Sequence, residues 1–414
     1  MAEEFYIDQL PNGLTLLGQR MSHVSSAALA VAMPAGSAYD PGPQAGAASI
    51  ASQWFLKGAG GRDNRQLNDA LDSLGSQHNE QVHCEHLMFS SAQLGSNTAQ
   101  VLEVYADILR RPRLEDESFD SCRQLTRQDL ASLEDEPARK ANLLLREKFY
   151  PYPLGRNPYG TDQTLQQLTP DQLRRHLKRT VGPREAIFAV AGAFDWEQLR
   201  RQVLELFGDW QGEAPPPLPV TPLGSTTTHI SKPSAQTHIT MAHPTVTLSD
   251  ELYYPARLAV AVLSGGMSSR LFTEVREKRG LVYHVSSRYH SLRDYAGIFT
   301  YAGTTPAKAQ ETFDVTFGEI RRLGEGIEDE EMDRARVQLK SALVMQGEST
   351  GARAVALSND WHHLRRLRGL EEISAAIDAV TTDRVLDLLR RHPPRNMSVL
   401  VIGPDPINTA ALDS

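Results

Sequence analysis

Five prolines lie between Pro215 and Pro222, inside the stretch DWQGEAPPPLPVTPLGSTTTH near the middle of the chain. Proline fixes φ and has no amide hydrogen, so this run continues neither a helix nor a central strand and favours extended polyproline geometry. It divides 414 residues into nearly equal halves. A chain of that length exceeds what one core organises comfortably, which itself points to more than one domain. The expected division is a domain over 1–212, a proline-rich linker over 213–226 and a domain over 227–414.

The halves share an order of elements. Each opens on alternating, strand-like runs: GLTLLGQRM then SSAALAVAMPAGSAYD in the first, THISK then AQTHITMAHPTV in the second. A helix candidate follows in each, at 44–57 and 249–263, and then further alternating runs: HCEHLMFSSAQL in one half, LVYHVSSRYHSL and AGIFTYAGTT in the other. Stretches with apolar residues near helical spacing come next, TAQVLEVYADILRR and PAKAQETFDVTFGEIRRLGEG. Each half closes on a strand, AIFAVAGAF and MSVLVIGP. Strands mixed with long helices predict α+β domains, each a mainly antiparallel sheet covered by helices, and the repeated order predicts two homologous domains.

Several partner classes are disfavoured. The net charge of -8 is spread along the chain, which argues against nucleic acid as the main partner. Cys84 and Cys122 are the only cysteines, so no disulfide framework is implied and a reducing compartment fits. The first residues, MAEEFYIDQLPNGL, are acidic and lack a signal pattern, and no run of about 18 apolar residues occurs. A cytoplasmic protein without a membrane span is expected.

Read in series, several segments resemble the pitrilysin and mitochondrial-processing-peptidase family of inverted-zinc metallopeptidases. LPNGLTLL followed by MPAGSAYDP resembles its first hairpin, and GAASIASQWFLKG lies where members carry a helix with H-x-x-E-H. LGSQHNEQVHCEHLMF, LASLEDEPARKANLLLREKFYPYPLGRNPYGT and SSRLFTEVREKRGLVYHV resemble later family segments in the same order. The resemblance implies the processing-peptidase/LuxS-like metallohydrolase fold.

On a helix, residues i and i+4 share a face, so H-x-x-E-H places two histidines beside one zinc and its Glu beside the bound water. Counting back from Lys57, the resemblance puts the first His at Ser49, the Glu at Ser52 and the second His at Gln53. The third ligand, a carboxylate on a later helix, falls at Asp129. Hydroxyls and an amide neither offset a dication nor act as a base near neutral pH. These are degenerate zinc-site positions, and no metal or other cofactor is expected on this chain; zinc is expected in a partner subunit. His78, His83, Cys84, Glu85 and His86 are crowded together, but strand alternation points His83 and Glu85 away from Cys84 and His86, against convergence on one metal. His362 and His363 read as surface or packing residues.

The resemblance also implies that peptide adds as an extra strand to the sheet edge beside the zinc helix. The corresponding strand contains Asn79, His83 and Glu85. Arg276 and Tyr283 match an Arg and a Tyr that, in the family, bind the substrate carbonyl across from the zinc and stabilise its developing charge. By the residues alone, Arg276, Lys278 and Arg279 also fit a helix end capped by Gly280, with Tyr283 an ordinary strand aromatic.

The expected function is therefore a non-catalytic subunit of a heteromeric zinc endopeptidase, paired with a zinc-bearing homologue or with itself. It would lend Arg276, Tyr283 and half of a peptide chamber. The alternatives are a structural or assembly protein of the same fold, and a standalone peptidase with a different metal site.

Overall fold

The computed structural model describes residues 3–413. The first half of the chain forms β1 (Glu4–Gln9), β2 (Thr15–Arg20), β3 (Ser26–Met33), α1 (Ala47–Trp54), a small hairpin of β4 (Gly58–Ala59) and β5 (Arg62–Asp63), and α2 (Asn64–Ser73). It continues with β6 (Gln77–Val82), β7 (Leu87–Leu94), α3 (Thr98–Arg110), α4 (Asp116–Ser132), α5 (Pro137–Phe149), α6 (Asp162–Gln167), α7 (Pro170–Thr180), β8 (Ile187–Gly192) and α8 (Trp196–Phe207). The second half forms β9 (Thr227–Ser231), β10 (Thr237–Thr245), α9 (Tyr253–Ser264), β11 (Val282–Ser291), β12 (Ala296–Thr304) and α10 (Ala309–Arg322). It ends with α11 (Asp329–Gly347), α12 (Thr350–Leu364), α13 (Leu370–Asp378), α14 (Thr382–Arg391) and β13 (Ser398–Gly403).

The duplication read from the sequence is explicit in the sheets. One runs β1-β2-β8-β3-β7-β6 and the other β11-β12-β10-β13-β9. Read from β6, the first sheet pairs antiparallel three times and then parallel, at β8 and β2. Read from β11, the second does the same, ending on the parallel pair β13 and β9. Strands β6 and β11 are thus equivalent edges, and β1 is an addition at the far end of the first sheet. The fold is α+β with mainly antiparallel sheets covered by helices, as the alternating and helical periodicities predict.

The chain falls into two compact units. The first joins the chain up to Ser132 with Arg156–Pro219 and Gln346–Arg368; the second joins Leu133–Gly155, Val220–Met345 and the chain from Gly369. A cut in the proline-rich linker does not produce these units, because each half of the sequence gives one helix to the other unit. Helix α12 packs on β3, β8 and β2, and α5 packs on β10 and β13, which are the equivalents of β3 and β8.

The strands show why. In β3, Leu29, Val31 and Met33 face the larger core with α1, while Ala28, Ala30 and Ala32 face α12. In β8, Phe188 and Val190 take the first side, and Ile187, Ala189 and Ala191 the second. The alternation is large against small, so both faces are buried, and the alanine face admits a helix at close range with Ala354, Leu357 and Trp361 inserted. On α5, Ala141 and Leu145 are buried, and the Phe149 ring stacks edge-on to Phe299, with centroids 5.1 Å apart. Gly297 keeps that contact open, since a Cβ there would lie 2.5 Å from the Phe149 ring.

Two substitutions test this packing. Trp361→Ala, which empties a buried site, is expected to lower the stability of the first unit by about 3–5 kcal/mol. Ala30→Leu, which overfills the same layer, is expected to cost about 1–3 kcal/mol. Urea denaturation followed by tryptophan fluorescence and circular dichroism measures both; wild-type stability in either variant would show that α12 is not held by this face.

Candidate functional site

Helix α1 is placed by a buried carboxylate. Asp40 Oδ2 accepts from the Gly46 amide at 3.0 Å and Oδ1 from the Ala48 amide at 3.1 Å, so it holds the helix N-terminus. Burial pushes the Asp40 carboxyl up, opposed by His176, whose Nε2 lies 3.5 Å from Oδ1 at the limit of hydrogen-bond distance. Arg156 donates to the Asp40 backbone carbonyl and, at 3.3 Å, to that of Ser37. Gly46 has a φ of 95°, and a Cβ there would lie 2.7 Å from Leu165 and 2.8 Å from the Tyr159 carbonyl. Only glycine fits this turn.

The short, small-residue helix that follows carries Ser49, Ser52 and Gln53, the three positions matched to the zinc motif. Ser49 Oγ donates to the Pro158 carbonyl at 2.7 Å, and Ser52 Oγ donates to the Ser49 carbonyl at 2.9 Å. Both hydroxyl protons are committed to main-chain acceptors, and a neutral hydroxyl neither offsets a dication nor acts as a base near neutral pH. Gln53 is partly exposed, but its Oε1 is inaccessible and has no hydrogen-bond partner among the described residues.

Ser49, Ser52, Gln53 and Asp129 line one cleft of about 560 Å³. Lys57 of the turn after α1 and Glu80, Gln81, Val82 and His83 complete its walls. Tertiary structure thus brings the four residues to one place, and β6 beside them is an edge strand. Reading the sequence missed Lys57 and Glu80 as cleft residues. Glu80 sits two residues from His78, and the Glu80 carboxylate 3.1 Å from Nδ1 raises the His78 pKa.

A zinc ion fits this donor set poorly. Asp129 alone offers a carboxylate at the matched positions. Among the described residues no group of three or more His, Cys, Asp or Glu is arranged to hold a metal.

The crowded His83–His86 segment differs from the strand expected of it. Asn79 is on β6, where its carbonyl accepts from Ser90 Oγ at 3.1 Å, but His83 and Glu85 lie beyond the strand, in the turn to β7. The His83 amide bonds the His86 carbonyl at 2.8 Å, and the His83 and Cys84 carbonyls accept from Ser37 and Ala38 at 3.0 and 2.9 Å. Gly36 permits that approach, since a Cβ there would lie 2.4 Å from Cys84 O. The alternation argument therefore does not apply to these residues. Glu85 Oε2 instead reaches His362 Nε2 at 3.2 Å, and the His86 and His362 rings meet edge-on at 4.3 Å. Burial and neighbouring cationic groups hold the His86 imidazole well below its usual pKa.

In the second unit, the segment SSRLFTEVREKRG divides its charges by role. Arg270 is buried and bidentate on Glu331, at 2.7 Å to each oxygen, with a further bond to Gly326 O. Lys278 and Arg279 both bond Glu274 at 2.7 Å. Arg276 is exposed and makes no ion pair among the described residues; its guanidinium lies 4.8 Å from the Phe272 ring centroid and 5.5 Å from that of Tyr283. The backbone here is not the plain helix end that the sequence suggests. Phe272–Glu277 is a π-helical turn, closed by Lys278 N to Thr273 O at 2.9 Å.

Tyr283 sits at a second irregularity. The register between β11 and β12 shifts from Val282↔Thr304 to His284↔Gly303, so Tyr283 is the extra residue of a bulge. Its side chain is 84% exposed on the edge strand. A π-turn and a bulge together stack a permanent cation and a phenol side by side in solvent. Such an arrangement is able to donate hydrogen bonds to an anionic or carbonyl oxygen.

Comparison with known proteins agrees with this architecture. Residues 17–162 match the family described as insulinase (peptidase family M16), and residues 167–339 match the peptidase M16 inactive domain. An uncharacterized zinc protease of Rickettsia bellii is 29% identical over 413 residues, covering 98% of this chain and 99% of that protein. One from Bacillus subtilis is 26% identical over 403 residues, covering 95% and 97%. Among solved structures, a peptidase M16 inactive domain from Pseudomonas fluorescens superposes with a TM-score of 0.89 at 20% identity, covering 98% of this chain and 99% of that one. A protease from Helicobacter pylori gives 0.89 at 16% identity, covering 98% and 100%. With the duplicated sheets and both family segments in order along its length, the chain belongs to the M16 family of pitrilysin-like peptidases.

Proposed function

We propose that this chain is a non-catalytic subunit of a heteromeric zinc endopeptidase, one that lends Arg276 and Tyr283 to the zinc site of a homologous partner. The observation that carries the reading is the pair itself. Two exposed side chains at local backbone irregularities are stacked on one another, while the neighbouring Lys278 and Arg279 are tied to Glu274. A cation that served only the helix end would gain from such a carboxylate, and Arg276 has none among the described residues. Its forked donors and the Tyr283 hydroxyl suit the oxygen of a peptide carbonyl as charge develops on it.

The chain's own α1 supplies no base and no metal ligands, so hydrolysis requires zinc and a general base from another subunit, in a cytoplasmic heterodimer. Strand β6, with Asn79 and the neighbouring His83, is the edge on which a peptide would be held. Helix α11 adds support for a partner: Val337, Val344 and Met345 are 63%, 57% and 66% exposed along it. The same apolar face suits an assembly protein with no part in proteolysis, and the two readings separate by experiment.

Co-expression with a homologous chain carrying H-x-x-E-H is expected to give a complex that cleaves peptides. In that complex Tyr283→Phe is expected to lower turnover about a hundredfold, and Arg276→Ala at least as much, with the melting temperature unchanged. Full cleavage by the double variant, or loss of the complex in place of loss of turnover, would favour assembly. The isolated chain is expected to retain no stoichiometric zinc after dialysis and to cleave no peptide. Elemental analysis giving about one zinc per chain, with hydrolysis that a chelator abolishes, would contradict this.

A further inference from the structure

We infer that Arg146 and Arg288, brought together at Phe299 on the second sheet, bind an acidic side chain of a peptide. Helix α5 carries Arg146, whose guanidinium lies over the Phe299 ring, 5.9 Å from its centroid. Strand β11 carries Arg288, the register partner of Phe299 on β12. Directly opposed residues of an antiparallel pair point to one face, so Arg288 stands beside the ring that Arg146 covers. The neighbours fix which face this is. Val285 and Tyr289 pack into the core of the second unit, and Ser287 Oγ lies 2.9 Å from Thr300 Oγ1, all on the opposite side. Phe299 instead meets Phe149 and Tyr150 at the end of α5, with ring centroids 5.1 and 5.6 Å away.

Both arginines are exposed, and neither makes an ion pair among the described residues. Two cations held together repel one another unless an anion joins them. The strands supply none. β10, β11 and β12 contain no Asp or Glu, in a chain where such residues outnumber Lys and Arg by 51 to 43. The one carboxylate within α5, Glu147, follows Arg146 and so leaves the helix about 100° further round. Two guanidinium groups above a buried aromatic ring offer forked donors to a carboxylate and an apolar floor to its methylenes. The place of the pair on β11 favours a peptide over a free anion. His284, Ser286 and Arg288 alternate along this face, and the bulge residue Tyr283 adjoins His284. Arg288 is thus about 13 Å along the strand from His284, the span of about four extended residues. On the reading that Arg276 and Tyr283 hold a peptide carbonyl, on which this step rests, a side chain about four residues from that carbonyl arrives at Arg288. The favoured substrates are those with Asp or Glu at that separation.

The full-length chain alone, without a zinc-bearing partner, provides the test. The probes are rhodamine-labelled decapeptides of Gly and Ser with a central Glu or, in the control, a central Gln, followed by fluorescence anisotropy at low ionic strength. The Glu peptide is expected to bind about fivefold more tightly, as for an exposed ion pair of good geometry. Arg146→Gln and Arg288→Gln are each expected to reduce that ratio, and the double variant to abolish it. Arg179→Gln, which removes an exposed cation from α7, is expected to leave it unchanged. Equal affinity for the two peptides, a preference that survives in the double variant, or displacement by free glutamate as effective as by unlabelled peptide would overturn the inference. No partner and no cleavage enter this measurement. Its failure therefore leaves the Arg276–Tyr283 reading to its own cleavage assay, and a failed cleavage assay leaves these binding ratios standing.

Discussion

The alanine-lined face of the first sheet imposes the condition that the rest of this molecule satisfies. β3 and β8 are apolar on both sides, so a sheet covered on one face only would leave Ala28, Ala30, Ala32, Ala189 and Ala191 against water. Burial of apolar surface is the main favourable term in folding, at roughly 25 cal/mol per Å². The helix that meets this demand comes from the other half of the sequence, and its counterpart makes the reciprocal exchange. Each unit is thereby completed by a segment from the other half of the chain.

That coverage decides where function is able to sit. With both faces occupied around β3, β8, β10 and β13, the strand ends and edges are left for binding. The two repeats place different chemistry on the equivalent edge. β6 borders the cleft lined by Ser49, Gln53 and Asp129, and β11 carries Tyr283 on a bulge. In the first unit the polar groups around α1 serve structure: Ser49 ties α1 to the Pro158 segment and Asp40 caps it. Hydroxyl-to-carbonyl bonds need no metal to hold the helix in place. In the second unit the exposed Arg276 and Tyr283 occupy a π-turn and a bulge, features of the kind that collect at functional sites.

The sequence by itself determined a good deal. The proline run, the repeated order of runs and the alternating periodicities determined two α+β repeats, because these signals are local and arise from backbone geometry. The family resemblance located Ser49, Ser52, Gln53 and Asp129, which the fold brings to one cleft, and paired Arg276 with Tyr283, which the fold stacks at 5.5 Å. Only the tertiary structure decided the rest. Large-against-small alternation in β3 does not say which helix covers the small side, so the exchange of α5 and α12 was illegible. HCEHLMFSSAQL has strand composition throughout, yet His83–His86 form a turn because the carbonyls of His83 and Cys84 bond Ser37 and Ala38, far away in sequence. REKR reads as a cationic helix end, and it takes the Glu274 pairs and the ring contacts of Phe272 and Tyr283 to separate Arg276 from its neighbours. Local pattern sets what each segment is able to form, whereas long-range hydrogen bonds and packing select which polar groups are spent on structure and which remain for a ligand.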